Sequence, residues 1–397
     1  DLVAGAAQVD GNNRRPATFA GIDCPAGAPY DFPVPAPGGP VGPTGPIRHV
    51  ILIVRENKTY DVELGDLPGA NGDPSLTLFG ETVTPNTHAL AEQFANLDNF
   101  YVDSEASIQG HVWTTTGRTS DYVERTWFTI AAPGGAAGRP FDGAGANEAS
   151  QPEIGQCFDG REAAGIDFTI FGEPTTLLRG AGMRHMDRRF PATNRVGAYD
   201  LDTLDVVKAD YLAGLVLNEG LPAFWYVSLP NDHTYGTRAG RPTPESMVAD
   251  NDAATGIIVD AISRSVFWPE TVIFITEDDP QDGGDHVDAH RSICVVVSPW
   301  VKRAWVSSVH YDFASLYRTI ELLLGVPPMS QFDALATPMT DVFTGTPDFT
   351  DYVRSFTDLP MLVTLRERGD AHQADRFLTA SDLGGTSENA DWKTVVL

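Results

Sequence analysis

The chain has 397 residues, 42% of them hydrophobic, and its 27 Lys and Arg stand against 54 Asp and Glu for a net charge of -27. The apolar content excludes a disordered chain, no apolar run reaches the length of a membrane-spanning helix, and the charge excludes a broad basic nucleic-acid-binding face or a polybasic membrane anchor. No period recurs, so coiled coil, collagen and solenoid fail too, and a large globular chain of enzyme type is the expectation. Asp (37) outnumbers Glu (17), and four lysines stand beside 23 arginines. This make-up fits a compositional bias of the coding genome or a hydrated surface suited to salty or extracellular water. An anionic substrate would be repelled at long range, so a site for one needs concentrated positive charge, and a bound metal is the obvious supply.

Residues 1–46 are a Gly/Pro/Ala-rich lead-in, expected to wrap over a core in extended form. The opening Asp1-Leu2-Val3 has neither initiator Met nor signal peptide, which leads to the expectation of a mature, secreted or periplasmic form with its leader removed. Residues 47–397 read as one α/β domain. An apolar run over 49–54 breaks into the polar Arg55-Glu56-Asn57-Lys58-Thr59, the signature of a strand buried on both faces. The same signature returns over 168–171, 223–229, 271–276 and 293–297. Helical patterns lie at about 84–97, 204–219, 244–266 and 312–324, the last with Phe313, Leu316, Tyr317, Ile320, Leu323 and Leu324 on one face. Buried strands alternating with amphipathic helices predict a doubly wound α/β fold, with a mostly parallel central sheet and helices on both faces. Residues 128–165 are Gly/Ala-rich without periodicity and read as an insertion over the sheet edge or the site. Cys24 and Cys157 lie in irregular sequence, where a disulfide between them is open, and Cys294 reads as a buried thiol.

In an open α/β sheet, ligands bind beyond the carboxyl ends of the strands. Three such ends carry polar clusters: Glu56-Asn57, Asn231-Asp232-His233 and Glu277-Asp278-Asp279. A fourth cluster follows, with Asp285, His286, Asp288 and His290. Taken singly, each could be a helix cap, an Asx turn or a surface pair. Together, carboxylates converging on one rim repel one another unless a cation sits among them. The candidate metal ligands are therefore Glu56, Asn57, Asp278, Asp279, Asp232, His286 and His290, with one divalent metal site expected and a second open. Asn57-Lys58-Thr59 also matches the N-glycosylation pattern, which at a strand end facing a site reads as accidental.

A metallohydrolase needs a nucleophile, and the segment Asp103-Ser104-Glu105-Ala106-Ser107-Ile108-Gln109-Gly110-His111 offers one. A hydroxyl on a metal deprotonates more readily and can attack phosphorus, and a helix opening here would present N–H groups to phosphate oxygens. Ser107 is the candidate, with His111 as phosphate ligand or proton donor. Ser104 and Thr114 to Thr116 are weaker alternatives.

The blocks His49-Val50-Ile51-Leu52-Ile53-Val54-Arg55-Glu56-Asn57-Lys58-Thr59-Tyr60-Asp61, Leu229-Pro230-Asn231-Asp232-His233-Thr234, Thr276-Glu277-Asp278-Asp279 and Asp285-His286-Val287-Asp288-Ala289-His290-Arg291 resemble, in order, those of the bacterial phosphoesterase family. That family includes phospholipase C enzymes and acid phosphatases and belongs to the alkaline phosphatase-like superfamily. The resemblance implies that Glu56, Asn57, Asp278 and Asp279 surround a metal, with the nucleophile's oxygen as a further ligand. It also implies that His233, and His286 or His290, contact substrate or a second metal. Two-metal members space the Asp and His of the second site three residues apart, whereas Asp232 and His233 are adjacent. The long C-terminal extension of the phospholipase C branch has no counterpart here. The expectation is a metal-dependent phosphoric ester hydrolase acting through a covalent phosphoseryl intermediate, with Ser107, His111 and His233 catalytic. A phosphomonoester is favoured as the small-molecule substrate, ahead of phosphodiesterase or phospholipase C activity. The rival of another class is a secreted binding or surface protein on an inactive scaffold. The oligomeric state is not read from the sequence.

Overall fold

The computed structural model describes residues 32–35, 43–127, 147–152, 155–280 and 283–355. The first half runs β1 (His49–Arg55), α1 (Tyr60–Leu64), α2 (Pro85–Gln93), β2 (Ala95–Leu97), β3 (Phe100–Tyr101), α3 (Ser107–Thr116), α4 (Asp121–Thr126), α5 (Cys157–Ala163) and β4 (Phe168–Phe171). It continues with α6 (Gly180–Arg184), α7 (Asp205–Asn218), β5 (Phe224–Ser228), α8 (Pro244–Ser263) and β6 (Thr271–Glu277). The chain then forms β7 (Arg291–Ser292), β8 (Cys294–Val297), β9 (Trp305–Ser307), β10 (Tyr311–Asp312), α9 (Phe313–Leu324) and α10 (Gln331–Leu335).

Among the described residues, a seven-stranded sheet has the order β4-β5-β1-β6-β8-β2-β9, and β10-β3-β7 form a smaller one. β4, β5, β1 and β6 are mutually parallel, and β8 runs antiparallel to both β6 and β2. Every residue of β5, β6 and β8 is buried, as is β1 from Val50 onward, so both faces of the sheet are covered. Helix α8 packs with α7 and α2, while α3 packs with α5 and α9 with β1. This is the doubly wound, mostly parallel arrangement that the alternation of strands and helices predicts. Each fully buried Val, Ile, Leu or Phe of these layers contributes about 1.5–3 kcal/mol, which is why the four central strands read so plainly from sequence. Phe32 packs against this core and Val34 belongs to it.

The differences from expectation have local causes. The pattern over 84–97 is a helix only as far as Gln93. Ala95 and Asn96 instead pair with Val296 and Val295 of β8, and the Asn96 amide donates to the Tyr60 hydroxyl at 2.7 Å. Because β8 is antiparallel, its carboxyl end points away from the ends of β1, β5 and β6, and its amino side comes to that rim. Within the span read as an insertion, α5 buries Cys157, Phe158 and Arg161 and belongs to the core, while residues 128–146 lie outside the described residues. Cys157 and Cys294 are buried free thiols, and Cys24 lies outside the described residues.

Parallel register sets the height of the site. Val54 lies opposite Ser228 of β5, and Arg55 lies opposite Glu277 of β6, so the residues that follow on each strand emerge at one level. Helix α3 lies on this edge, and Gly110 is the reason it can. A Cβ at Gly110 would stand 2.4 Å from the Asp278 carbonyl oxygen, so only glycine lets the helix rest directly on that strand end. Gly110→Ala is expected to lower the unfolding free energy by about 1–3 kcal/mol and to displace Ser107 and His111 from the strand ends. Urea unfolding checks this, and wild-type stability would mean the helix has room to shift.

Candidate active site

The end of β1 turns sharply. Asn57 has φ +48°, a left-handed conformation that Asn tolerates better than most residues, and its backbone N–H donates to Asp278 Oδ1 at 3.3 Å. One residue earlier, the Glu56 N–H donates to Asp232 Oδ1 at 3.1 Å. These two bonds tie the loops after β1, β5 and β6 together. Above them, Glu56 Oε1 lies 2.8 Å from His111 Nε2, and Asp278 Oδ2 lies 3.7 Å from the same nitrogen. His111 Nδ1 is 3.0 Å from Oε1 of Glu173, the second residue after β4. Ligand atoms of Glu56, His111 and Asp278 all fall within 4.8 Å of one another.

The charges in this cluster do not balance. Burial pushes Asp278 well above the usual carboxylate range, and the neighbouring charges of Asp279 and Glu56 push it further. Burial acts the same way on Glu56, but hydrogen bonds from His111 and Ser107, together with the charges of His111 and His233, hold it below that range. Burial disfavours the His111 imidazolium, yet the carboxylates of Glu173 and Glu56 outweigh it and keep the ring charged well above the ordinary histidine range. Asp279 is fully buried beside Asp278.

Ser107 opens α3 and sits on the same helical face as His111, with its hydroxyl beside Glu56. The other hydroxyls of the segment are committed elsewhere. Ser104 Oγ donates to the Asp278 carbonyl at 2.6 Å, Thr115 and Thr116 bond back to the carbonyls of His111 and Val112 at 2.7 Å, and Thr114 pairs with the Tyr226 hydroxyl at 2.9 Å. Ser107 is thus the hydroxyl of this segment that the fold turns toward the carboxylates. His233 closes a short 3-10 turn, Asn231–His233, with its Nδ1 2.9 Å from the Thr234 carbonyl. A carbonyl only accepts, so Nδ1 carries the hydrogen. Tyr199 stands edge-on to His111 with ring centroids 5.8 Å apart, and it hydrogen-bonds Glu56.

Beneath this level is a second buried cluster. Arg55, fully buried, places Nη2 2.5 Å from Glu63 Oε1 and Nε 3.4 Å from both Asp232 Oδ2 and Glu277 Oε1. Burial and the nearby Glu277 raise Asp232 well above the usual range, and burial raises Glu277 to about 7. The Lys58 ammonium donates to the Asp232 carbonyl at 2.6 Å and to the backbone and side-chain oxygens of Asn57, both at 3.3 Å. Asp232, expected among the metal ligands, therefore faces Arg55 and not the Glu56–Asp278 cluster. The tight turn sends Asp232 inward and its neighbour His233 outward. Asn57, buried and engaged by Lys58 and Asp278, is no glycosylation acceptor in this fold.

The segment after β6 does not reach the cluster either. His286 Nδ1 is 2.6 Å from Asp61 Oδ2, and the Arg291 guanidinium pairs with Asp61 and Asp285 at 2.9 Å each. That acidic group already holds a cation, an arginine. His290 sits between Glu105 at 2.8 Å and Asp288 at 3.0 Å, and it lines a cavity of about 710 Å³ with Trp113 and Arg118. His111, read as a phosphate ligand or proton donor, has both ring nitrogens facing carboxylates. Sequence reasoning missed Glu173 and Tyr199. Glu173 follows a predicted strand in the same way as Glu56 and could have been found by that rule. Tyr199 lies in a loop with no such signal.

A divalent cation fits the upper cluster. Glu56 Oε2 and Asp278 Oδ2 are buried without a hydrogen-bond partner among the described residues, and two carboxylates with one imidazole form a suitable oxygen and nitrogen donor set. Residues that would hold it are Glu56, Asp278 and His111, with Asp279 alongside.

The Phosphoesterase family model matches residues 73–327, a stretch that takes in Ser107, His111, Glu173, His233, Asp278 and Asp279. The chain belongs to the Phosphoesterase family. Among solved structures, a candidate sulfatase from Bacteroides thetaiotaomicron VPI-5482 superposes with TM-score 0.51 at 11% identity, over 77% of this chain and 76% of its own. An alkaline phosphatase superfamily protein from Vibrio parahaemolyticus gives TM-score 0.48 at 14% identity, over 74% and 72%. These likenesses are of fold. A separate match, 53% identical over 51 residues, links 13% of this chain to the nitrate reductase alpha subunit of Mycobacterium tuberculosis (strain ATCC 25618 / H37Rv). The chain spans 4% of the length of the curated relatives it matches.

Two measurements test the charge layout. Arg55→Met is expected to cost about 3–5 kcal/mol in urea unfolding, because it strands three buried carboxyls. For His290, the hydrogen bond it donates to Glu105 outweighs burial and raises the ring to about 9. A raised histidine stabilises the fold fully below its unfolded value of roughly 6.5 and loses that contribution as pH climbs through the folded value. His290→Gln should therefore lower Tm at pH 6 and have no effect above pH 10, with a difference of about 1 kcal/mol or less for so exposed a group. A deficit independent of pH would contradict this placement.

Proposed function

We propose that the protein hydrolyses phosphoric esters with the help of a divalent metal ion, Ser107 acting as nucleophile and phosphomonoesters as preferred substrates. The observation that carries this is the Ser107 hydroxyl beside Glu56 at the first turn of a helix whose face also brings His111 to Asp278. When bound, the metal supplies positive charge that favours the serine alkoxide and offsets charge building on the phosphoryl group.

Ser107 Oγ forms the new bond to phosphorus as the ester oxygen departs in line, leaving a phosphoseryl group. Glu56, which stands beside the hydroxyl, is the acceptor for its proton. No side chain caps α3 at Ala106, so its first backbone N–H groups are available to phosphoryl oxygens, aided by the helix dipole. His233 takes the leaving-group side. Its Nδ1 is fixed on the Thr234 carbonyl, and its Nε2, which has no hydrogen-bond partner among the described residues, can carry a proton to the departing oxygen and later draw one from the attacking water. That second step releases phosphate and restores Ser107. The roles first expected of His111 pass to His233 and the helix start.

Ser107→Ala should reduce turnover of an aryl phosphate by at least ~10³-fold while metal content and fold are kept. Undiminished turnover would remove Ser107 from the reaction. Rates on mono- and bis-aryl phosphates compared side by side test the monoester preference, and a faster bis-aryl rate would reverse it. A retired scaffold serving as a binding protein would turn over neither.

A further inference from the structure

Glu173 is fully buried, and apart from His111 neither of its carboxylate oxygens has a hydrogen-bond partner among the described residues. A lone carboxylate in the interior costs several kcal/mol of solvation, and one contact does not return that as stability. The backbone is nonetheless shaped to keep it there. Gly172 has φ +77°, and a Cβ on it would stand 2.7 Å from the Ser228 carbonyl oxygen, so the chain leaves β4 pressed against β5 and delivers Glu173 inward. There its Oε1 meets His111 Nδ1 at 3.0 Å.

An acceptor at Nδ1 fixes both the orientation and the tautomer of an imidazole, and it leaves the other nitrogen to act as a ligand. His111 Nε2 is aimed at Glu56 Oε1, 2.8 Å away, and at Asp278 Oδ2, 3.7 Å away, beside the carboxylate oxygens that lack partners. We infer that Glu173 is a positioning residue for metal binding, holding His111 so that its Nε2, on releasing its proton to solvent, serves as the nitrogen ligand of the divalent cation shared with Glu56 and Asp278. The strand end of β4 thereby joins those of β1 and β6 in building the site. The inference rests on the metal-dependent reading above but not on Ser107 being the nucleophile.

The test is a calorimetric titration of chelator-stripped full-length protein with Mn²⁺ and, in parallel, Zn²⁺. Glu173→Gln keeps the side chain's shape and is expected to weaken metal binding about 10–100-fold, with Tm of the metal-free protein unchanged or higher. Its kcat on an aryl phosphate should fall at limiting metal and recover at excess metal, which a purely structural defect would not do. Glu173→Asp, which retains the charge, should lie between the two, and it carries the test if the Gln variant fails to fold. Wild-type metal affinity in the folded Glu173→Gln variant, or no metal uptake by the wild type, would overturn the inference. Weakened metal binding in Glu173→Gln alongside full activity of Ser107→Ala would uphold it and reject the nucleophile.

Discussion

A guanidinium buried at the end of the central strand is the interaction on which the rest of the site stands. Arg55 reaches Glu63 from α1, Asp232 from the turn after β5 and Glu277 from the end of β6, three fully buried carboxyls. It thereby joins three segments remote in sequence at one point below the rim. Because Asp232 also accepts the Glu56 N–H, the position of the upper carboxylates follows from this lower cluster. A buried ion network of this kind is weak as a source of stability but strong as a specification of geometry.

The two levels differ in the side chains that surround their carboxylates. The lower one has Arg55 among its three carboxyls and Lys58 close by, and oxygens of Glu63, Asp232 and Glu277 still lack a hydrogen-bond partner among the described residues. The upper one has three carboxylates around one imidazole and leaves oxygens of Glu56 and Asp278 without hydrogen-bond partners among the described residues. A similar division explains the acidic group at Asp61 and Asp285, where Arg291 fills the space between carboxylates. The excess acid of the composition is thus distributed in detail: arginine enters some groups of carboxylates, and at Glu56 and Asp278 it does not, which leaves a group that could hold an ion.

Close approach of backbones completes the arrangement. Gly110 lets α3 lie on the carbonyl of Asp278, and Gly172 lets the end of β4 lie on that of Ser228. Each glycine moves a functional side chain inward by the width of a missing Cβ. Neither stands out in the sequence, since 38 glycines are spread along the chain and a close contact leaves no periodic trace. The strand ends did stand out, because a continuous apolar run followed by acid marks both burial and direction. That rule located Glu56, Asp278 and Asp279 correctly on one rim, and applied to 168–171 it also reaches Glu173.

Where the rule misled, the cause was direction below the level of the strand. Asp232 and His233 are adjacent, and a single turn of 3-10 helix sends one under the site and the other toward it. His286 and His290 follow a strand end in sequence, but Asp61 and Glu105 draw them to other surfaces. The sequence by itself determined the α/β class, the four central strands, the helices between them and the rim on which chemistry gathers, because burial and periodicity are local properties of the chain. Which carboxylate meets arginine, which hydroxyl faces the acids, and that a fourth strand end brings Glu173 to His111 were decided only by the tertiary structure, since they depend on register, on two close backbone contacts and on the pairing of charges far apart in the chain.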